Sequence, residues 1–435
     1  MAATSRVRMR ANEAGAPSAA HAVAGPRGAV ADPHARPSQG AQAAPVIHVN
    51  GRFLAQRESG VQRFARQLVL AVDAELERRA GLHGRREQRW VLLVPPGAAP
   101  LPLTRVEART VRAPAGRTGH AWDQWLRFHC RADDVLVNLA NGGPLLRRRS
   151  ISILHDAAVY RTPRNFTFRY ALLHRWLGRT LALRSAIGTV SQFSRGELAQ
   201  ALRLDPADIF VVPNSCEHLR GAGCDGAVLR RLDLTPGRFF LAIGSPAPNK
   251  NLAAAVEAFA QLAAPDQRFI IAGAADPKVF GRGLAGVPPN VSLVGAVTDA
   301  QLVALLRAAT ALVFPSLYEG FGIPPLEAML QRCPVLASDI APVREVCGDA
   351  VLYFDPTDVD SLSRAMRRAL DDPGLLERLA GRGEQRAALY SWKRSGQCLI
   401  QAAERVSGRS ESAHDIDDTE SQNTRVEPMR LKQRG

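Results

Sequence analysis

Nowhere in its 435 residues does this chain carry an apolar run of about 18 residues, so no membrane-spanning helix is expected. Arg6, Arg8 and Arg10 have no apolar core behind them, so a secretory leader is not expected either. Cysteine is sparse and scattered: Cys130, Cys216, Cys224, Cys333, Cys347 and Cys398 form no Cys-x-x-Cys pair. That argues against a disulfide frame or a zinc site and for reduced, mostly buried thiols in a cytoplasmic protein. A G-x-G-x-x-G loop is missing, which removes support for a nicotinamide cofactor. No zinc spacing, recognition-helix arm or aromatic RNP pattern accompanies the net charge of +15, so no specific nucleic-acid partner is expected. Lysine is almost absent, at four of the 56 basic side chains.

What is present is an ordinary globular composition, 46% hydrophobic and 22% charged, long enough for two or three domains. The charge is unevenly placed: residues 46–220 carry a net +13, residues 221–405 none. The first of these segments is therefore expected to face something anionic. Residues 1–45, rich in Ala, Gly, Pro and Ser, and residues 407–435, almost without apolar residues, read as disordered tails. Between them, short apolar runs alternate with amphipathic stretches. Strands are expected at Val46–Val49, Trp90–Val94, Asp134–Leu139, Ile151–Leu154, Ile187–Val190 and Ile209–Val212, with helices near 60–79, 170–183 and 194–202. After the glycine-rich 221–226 the pattern restarts, with strands at Phe239–Ile243, Phe269–Ala272, Val291–Val294, Ala311–Phe314, Val335–Ala337 and Val351–Phe354. Two such series imply α/β architecture: two Rossmann-like, doubly wound parallel sheets facing across a cleft, with ligands at the carboxyl ends of the strands.

The most informative stretch is Phe314-Pro-Ser-Leu-Tyr-Glu319-Gly-Phe-Gly322-Ile-Pro-Pro325-Leu-Glu327-Ala-Met329. An apolar strand runs into a glycine loop, and the double proline suits a first helical turn, where a missing N–H costs nothing. The N–H groups of Phe321, Gly322 and Ile323 are then available to an anion or to sugar hydroxyls. Glu319 and Glu327, eight positions apart, do not share a helix face and should touch different parts of one ligand. The second stretch is Gly244-Ser245-Pro-Ala-Pro-Asn249-Lys250-Asn251, between a strand and a helix. A lysine at a helix start opposes the helix dipole, and a bound anion reverses that cost. In the first half, Gly60 opens a helix after Ser59, and Ile153-Leu-His155-Asp156 ends a strand, where functional residues of α/β sheets collect.

These residues resemble the family 4 glycosyltransferases, whose mark is two glutamates separated by seven residues in an E-G-F-G-x-P-x-L-E-A-M context, matched here from Glu319 through Met329. The resemblance implies the GT-B fold and covers most of residues 46–405. It implies that Glu319 contacts the donor sugar near the reacting carbon, that Glu327 holds the nucleotide ribose and that Lys250 meets the donor diphosphate. His155 would lie near donor sugar and acceptor, and Gly60 in the first glycine loop. Ser245 stands where many members have Arg, and Asn249 where a frequent Arg precedes the lysine, so the diphosphate has one cation fewer. The form with serine is similar to mannosyltransferases and implies GDP-mannose. No Asp-x-Asp pair follows a strand in the pattern that metal-dependent transferases use, and Asp133-Asp134 reads as a turn, so neither metal nor other cofactor is expected.

The resemblance divides the chain into an acceptor-side domain at 46–218, a donor domain at 219–391 and a helix at 392–406 crossing back onto the first. The implied activity is that of a retaining hexosyltransferase in cell-surface polysaccharide synthesis. It would move a sugar from a nucleotide diphosphate to a lipid-linked or growing polysaccharide. A nucleotide-sugar epimerase or phosphorylase on a similar fold is the alternative. The basic first half suggests peripheral contact with an anionic membrane from the cytoplasm. Asp156, Arg147, Arg148 and Arg149 are expected on that acceptor or membrane side.

Overall fold

The computed structural model describes residues 44–83, 88–113, 119–245, 247–273 and 288–408. The tails expected to be disordered lie outside these residues except at their inner edges. The first sheet contains β1 (Ile47–Asn50), β2 (Trp90–Val94), β3 (Glu107–Thr110), β4 (Val135–Asn138), β5 (Ser150–Ile153), β6 (Ala186–Thr189) and β7 (Ile209–Val211) in the order 3-2-1-4-5-6-7. The second contains β8 (Phe239–Ile243), β9 (Arg268–Ala272), β10 (Val291–Gly295), β11 (Ala311–Phe314), β12 (Val335–Ser338) and β13 (Leu352–Phe354) in the order 10-9-8-11-12-13. Neighbouring strands are parallel throughout.

The strands read as continuous apolar runs because helices cover both faces. Trp90-Val-Leu-Leu-Val94 is buried at every position. By contrast β3, whose Glu-Ala-Arg-Thr sequence is exposed throughout, lies at the sheet edge. The loop before it is fixed by buried Asp73, whose carboxylate accepts from the N–H groups of Thr104, Arg105 and Val106.

The helices of the first half are α1 (Gly60–His83), α2 (Gly119–Leu126), α3 (Ala158–Arg161), α4 (Phe168–Ala182) and α5 (Gln192–Leu202). Those of the second are α6 (Ala227–Arg231), α7 (Leu252–Gln261), α8 (Asp299–Ala308), α9 (Ile323–Leu330), α10 (Ala341–Cys347), α11 (Val359–Asp371) and α12 (Pro373–Ala387). The last helix, α13 (Trp392–Ser407), packs against α1. A Cβ on Gly396 would sit 3.0–3.2 Å from the backbone of Ala71 and Val72, so the two helices approach closely at that glycine. Arg79 pairs with Glu404 at 3.0 Å, and the Trp392 ring meets the Phe64 ring edge-on at 6.0 Å. No helix among the described residues is long and apolar enough to cross a membrane.

Chain direction corrects one sequence expectation. In a parallel sheet, residues preceding a strand lie at the end opposite the carboxyl-end cleft. Arg147, Arg148 and Arg149 immediately precede β5. Arg147 is also buried, its guanidinium donating to the backbone carbonyls of Arg131 and Asp134. It braces a turn and cannot meet an acceptor or a lipid surface, and Arg148 and Arg149 are exposed at the far end of the sheet. Asp134, just before β4, is likewise committed: its carboxylate accepts from the N–H groups of Val46 and Arg131 and contacts His48 Nε2 at 3.1 Å.

Candidate active site

Both sheets reverse their strand order beside a central strand, between β1 and β4 and between β8 and β11. Loops leaving these strands diverge there and open a crevice. The loop after β11 and the loop after β8 lie together. Leu317 N–H donates to the Asn249 carbonyl at 2.8 Å, and Asn249 Nδ2 donates to the Tyr318 carbonyl at 3.2 Å. These two bonds place Lys250 beside Glu319, with Nζ to Oε1 at 2.6 Å. The ammonium also lies 5.8 Å from the centroid of the Phe314 ring. Both side chains keep some exposure, 23% for Lys250 and 12% for Glu319, so a ligand in the crevice can reach them. Ser245 is exposed on the same loop.

Gly322 adopts φ 103° and starts α9, with Pro324 and Pro325 in its first turn. Among the described residues, the N–H groups of Phe321, Gly322 and Ile323 have no protein acceptor. This helix start therefore offers donors to an anion. The Phe321 side chain is buried edge-on against Tyr390 at 5.5 Å, so only its backbone is available. Gly60, at the start of α1, faces Ile323 across the crevice: a Cβ there would stand 3.6 Å from Ile323 Cδ1.

The two halves touch at Gly320. A Cβ at that position would fall 2.4 Å from the His155 carbonyl oxygen, so only glycine permits the approach. The Gly320 carbonyl accepts from Ser191 Oγ at 2.6 Å and Ser194 Oγ at 2.9 Å. Glu345, on α10, accepts from the first two N–H groups of α5, Gln192 and Phe193, at 2.7 Å each. A carboxylate from one half thus caps a helix of the other.

His155 and Asp156 reach the crevice from the end of β5. His155 is buried, its Nε2 lies 2.9 Å from the Leu139 carbonyl, and its ring stands edge-on to Phe64 at 4.8 Å. That contact requires the proton on Nε2 and leaves Nδ1 as the acceptor. Burial pushes the imidazole down to about 4, opposed only by that backbone contact, so the ring is neutral at pH 7. The Asp156 carboxyl is raised by burial and by nearby Glu319, against an N–H from Ala158 and the charge of Lys250. Two carboxyl groups and one ammonium therefore share the floor of the crevice.

Stability should follow the His155 shift. The unfolded chain takes up the imidazole proton below its ordinary pKa of 6.5, whereas the native chain does so only near 4. The contribution is complete above 6.5 and is lost as pH falls from there toward 4. His174, pushed down to about 4 chiefly by burial, acts with the same sign. Melting temperatures across this window should fall with acid, and His155→Gln, which keeps a donor for Leu139, should flatten the slope. An unchanged slope would rule out the buried neutral imidazole as its source.

Glu327 occupies a different environment from Glu319. It is buried on α9, where its Oε1 accepts from His218 Nε2 at 3.0 Å and lies 3.9 Å from Arg63 Nη1. Arg63, on α1, also pairs with Asp299 at 2.8 Å, tying the second glutamate to the first half. His218 escaped sequence reading because it sits alone in a short 3-10 turn, 109 positions from its partner. A second set lies under the crevice at the ends of β1 and β4, where sequence reading missed Trp122, Asp123 and Asn138. Asn50 Nδ2 donates to Asp123 at 2.7 Å and to Asn138 at 3.1 Å, and Asn50 Oδ1 accepts from Trp122 Nε1 at 2.9 Å. The Arg52 guanidinium pairs with the same Asp123.

Residues 232–386 match the family described as glycosyl transferases group 1. O-antigen chain mannosyltransferase B of Escherichia coli is 31% identical over 258 residues, 56% of this chain and 67% of that protein. The serotype-specific mannosyltransferase WbdA of Escherichia coli is 31% identical over 208 residues, which span 46% of this chain but only a quarter, 25%, of that longer protein. Among solved structures, a sucrose-phosphate synthase from Thermosynechococcus elongatus superposes with a TM-score of 0.63 at 18% identity, covering 84% of this chain and 100% of that one. At that identity the likeness establishes the fold, the two-sheet GT-B arrangement.

Proposed function

Because this chain belongs to the group 1 glycosyl transferases, and is therefore a glycosyltransferase, we propose that it transfers mannose from GDP-mannose to a lipid-linked or growing surface polysaccharide, with retention of the anomer. The observation that carries this reading is the Lys250–Glu319 pair at 2.6 Å beside the unpartnered N–H groups of Phe321, Gly322 and Ile323. A nucleoside diphosphate sugar satisfies every group there. Its diphosphate takes the ammonium and the backbone donors, and its sugar lies against Glu319. The ribose hydroxyls take Glu327, which His218 and Arg63 hold in place. Residues 219–391 are then the donor domain, residues 46–218 the acceptor side, and Ser245 and Asn249 border the diphosphate.

The chemistry follows from the charges. As the glycosidic bond to the β-phosphate breaks, negative charge grows on the leaving oxygen and positive charge on the sugar ring. Lys250 and the α9 donors stabilise the first, and Glu319 the second. With those groups in position the leaving diphosphate needs no divalent ion. His155 is neutral and cannot add a positive charge, so its part is to shape the sugar site. The acceptor hydroxyl enters from the first half beside Asp156 and loses its proton to a phosphate oxygen of the donor, on the same face that the leaving group vacates. Mannosyltransferase relatives and Ser245 in place of arginine support the choice of sugar.

The test is a panel of nucleotide sugars assayed for thermal stabilisation, slow donor hydrolysis and transfer, with product anomers read by NMR and with chelator added. GDP-mannose should stabilise most, the product should keep the α configuration, and chelator should leave turnover unchanged. An inverted product or complete loss with chelator would overturn the mechanism, and preference for another donor would overturn the sugar.

A further inference from the structure

The helix α4 has two apolar faces, and only one of them is used. Ala171, Leu177, Gly178 and Leu181 are buried against the first sheet. On the opposite side Phe168, Leu172 and Trp176 follow one another at four-residue spacing and are 80%, 57% and 54% exposed, with Leu183 beyond the helix end at 81%. At about 100° per residue these side chains form one stripe pointing away from the core. Soluble surfaces rarely gather large apolar side chains in this way without a partner.

Charge identifies the partner. Residues 157–196 contain seven arginines and no Asp or Glu. Within the helix, Arg169 at the edge of the stripe and Arg179 in line with it one turn on are exposed, and Arg184 follows. An apolar stripe flanked by arginines with an aromatic ring at its centre suits the interface of an anionic bilayer. A second copy of this chain would set the same arginines against each other, which disfavours a symmetric contact. The helix also borders the active-site crevice. Its His174 ring meets His120 at 5.1 Å, and His120 Nδ1 lies 3.3 Å from the Arg52 guanidinium at the end of β1.

We propose that α4 seats the enzyme on an anionic lipid bilayer, with Phe168, Leu172 and Trp176 entering the headgroup boundary and the arginines meeting lipid phosphates. This rests on the reading of the acceptor as lipid-linked, and it replaces Arg147, Arg148 and Arg149 as the membrane contact. A bilayer held against α4 keeps a lipid-linked acceptor beside the crevice.

The experiment is flotation of the full chain with phosphatidylcholine vesicles, with and without phosphatidylglycerol, together with size-exclusion chromatography and transfer to a short soluble acceptor. The wild type should float with anionic vesicles only and be released by salt. The double variant Leu172→Gln with Trp176→Gln should bind at least about tenfold less, as should Arg169→Gln with Arg179→Gln at low salt. Both should keep wild-type melting temperature and soluble transfer, since these side chains touch neither core nor crevice. Equal flotation of wild type and variants, or none by the wild type, would overturn the proposal. So would a dimer that the apolar variant dissociates, because a second copy would then cover the stripe. Vesicle binding without transfer from any nucleotide sugar would instead count against the proposed donor and reaction and leave the docking intact.

Discussion

Lys250→Ala and Glu319→Ala should each lower turnover by about 10²-fold or more while the melting temperature changes little. The two side chains form a partly exposed pair, and such pairs contribute on the order of 1 kcal/mol or less to folding. Their catalytic contribution is larger because charge that develops at bond breaking meets a lysine already in position. Since each holds the other in place, the double variant should lose less than the product of the single losses. Glu327→Ala should behave differently. It removes a buried acceptor from His218 and a nearby charge from Arg63, so both turnover and stability should fall. Near-normal turnover in Lys250→Ala, measured as nucleotide release with saturating acceptor, would remove the donor-site assignment. A Glu327→Ala protein with unchanged melting temperature would show that the buried contact to His218 carries no stability.

Truncation before Trp392 should leave a chain that does not fold to a cooperative native state. The lost helix contributes Trp392, Leu399, Ile400 and Ala403 to the main core, all buried. It also supplies the Trp392 N–H that Glu217 accepts at 2.7 Å and the Ser395 hydroxyl that donates to the Pro213 carbonyl at 2.6 Å. Its removal would expose the face of α1 around Ala71 and Phe64 to water. The single substitution Trp392→Ala should cost about 3–5 kcal/mol, the range for truncating a large core aromatic. Calorimetry on both proteins checks this. A truncated protein melting at the wild-type temperature would mean that α13 adds nothing to the packing of α1.

The sequence alone determined where most strands lie, because a strand covered on both faces must be apolar at consecutive positions, as in Trp90–Val94 and Phe239–Ile243. It also made the Glu319–Glu327 block and Lys250 legible, since a helix start with glycines, prolines and a nearby charge is written in adjacent residues. The edge strand β3 left no such mark, because four exposed residues gain their structure from one neighbouring strand rather than from burial. Contacts between distant positions were likewise invisible. His218 meets Glu327 only because a 3-10 turn passes over α9, and Gly320 meets His155 only because two sheets present their carboxyl ends to each other. Net charge along the chain identified the basic half but not which of its arginines are free at the surface. Arg147 reads as a surface cation in sequence, yet it precedes a parallel strand and is buried where its guanidinium satisfies two carbonyls. The apolar residues of α4 follow helical spacing on both of its sides, and periodicity cannot say which side is covered. Packing against the first sheet took one face, and the stripe of Phe168, Leu172 and Trp176 was left to the outside by that choice.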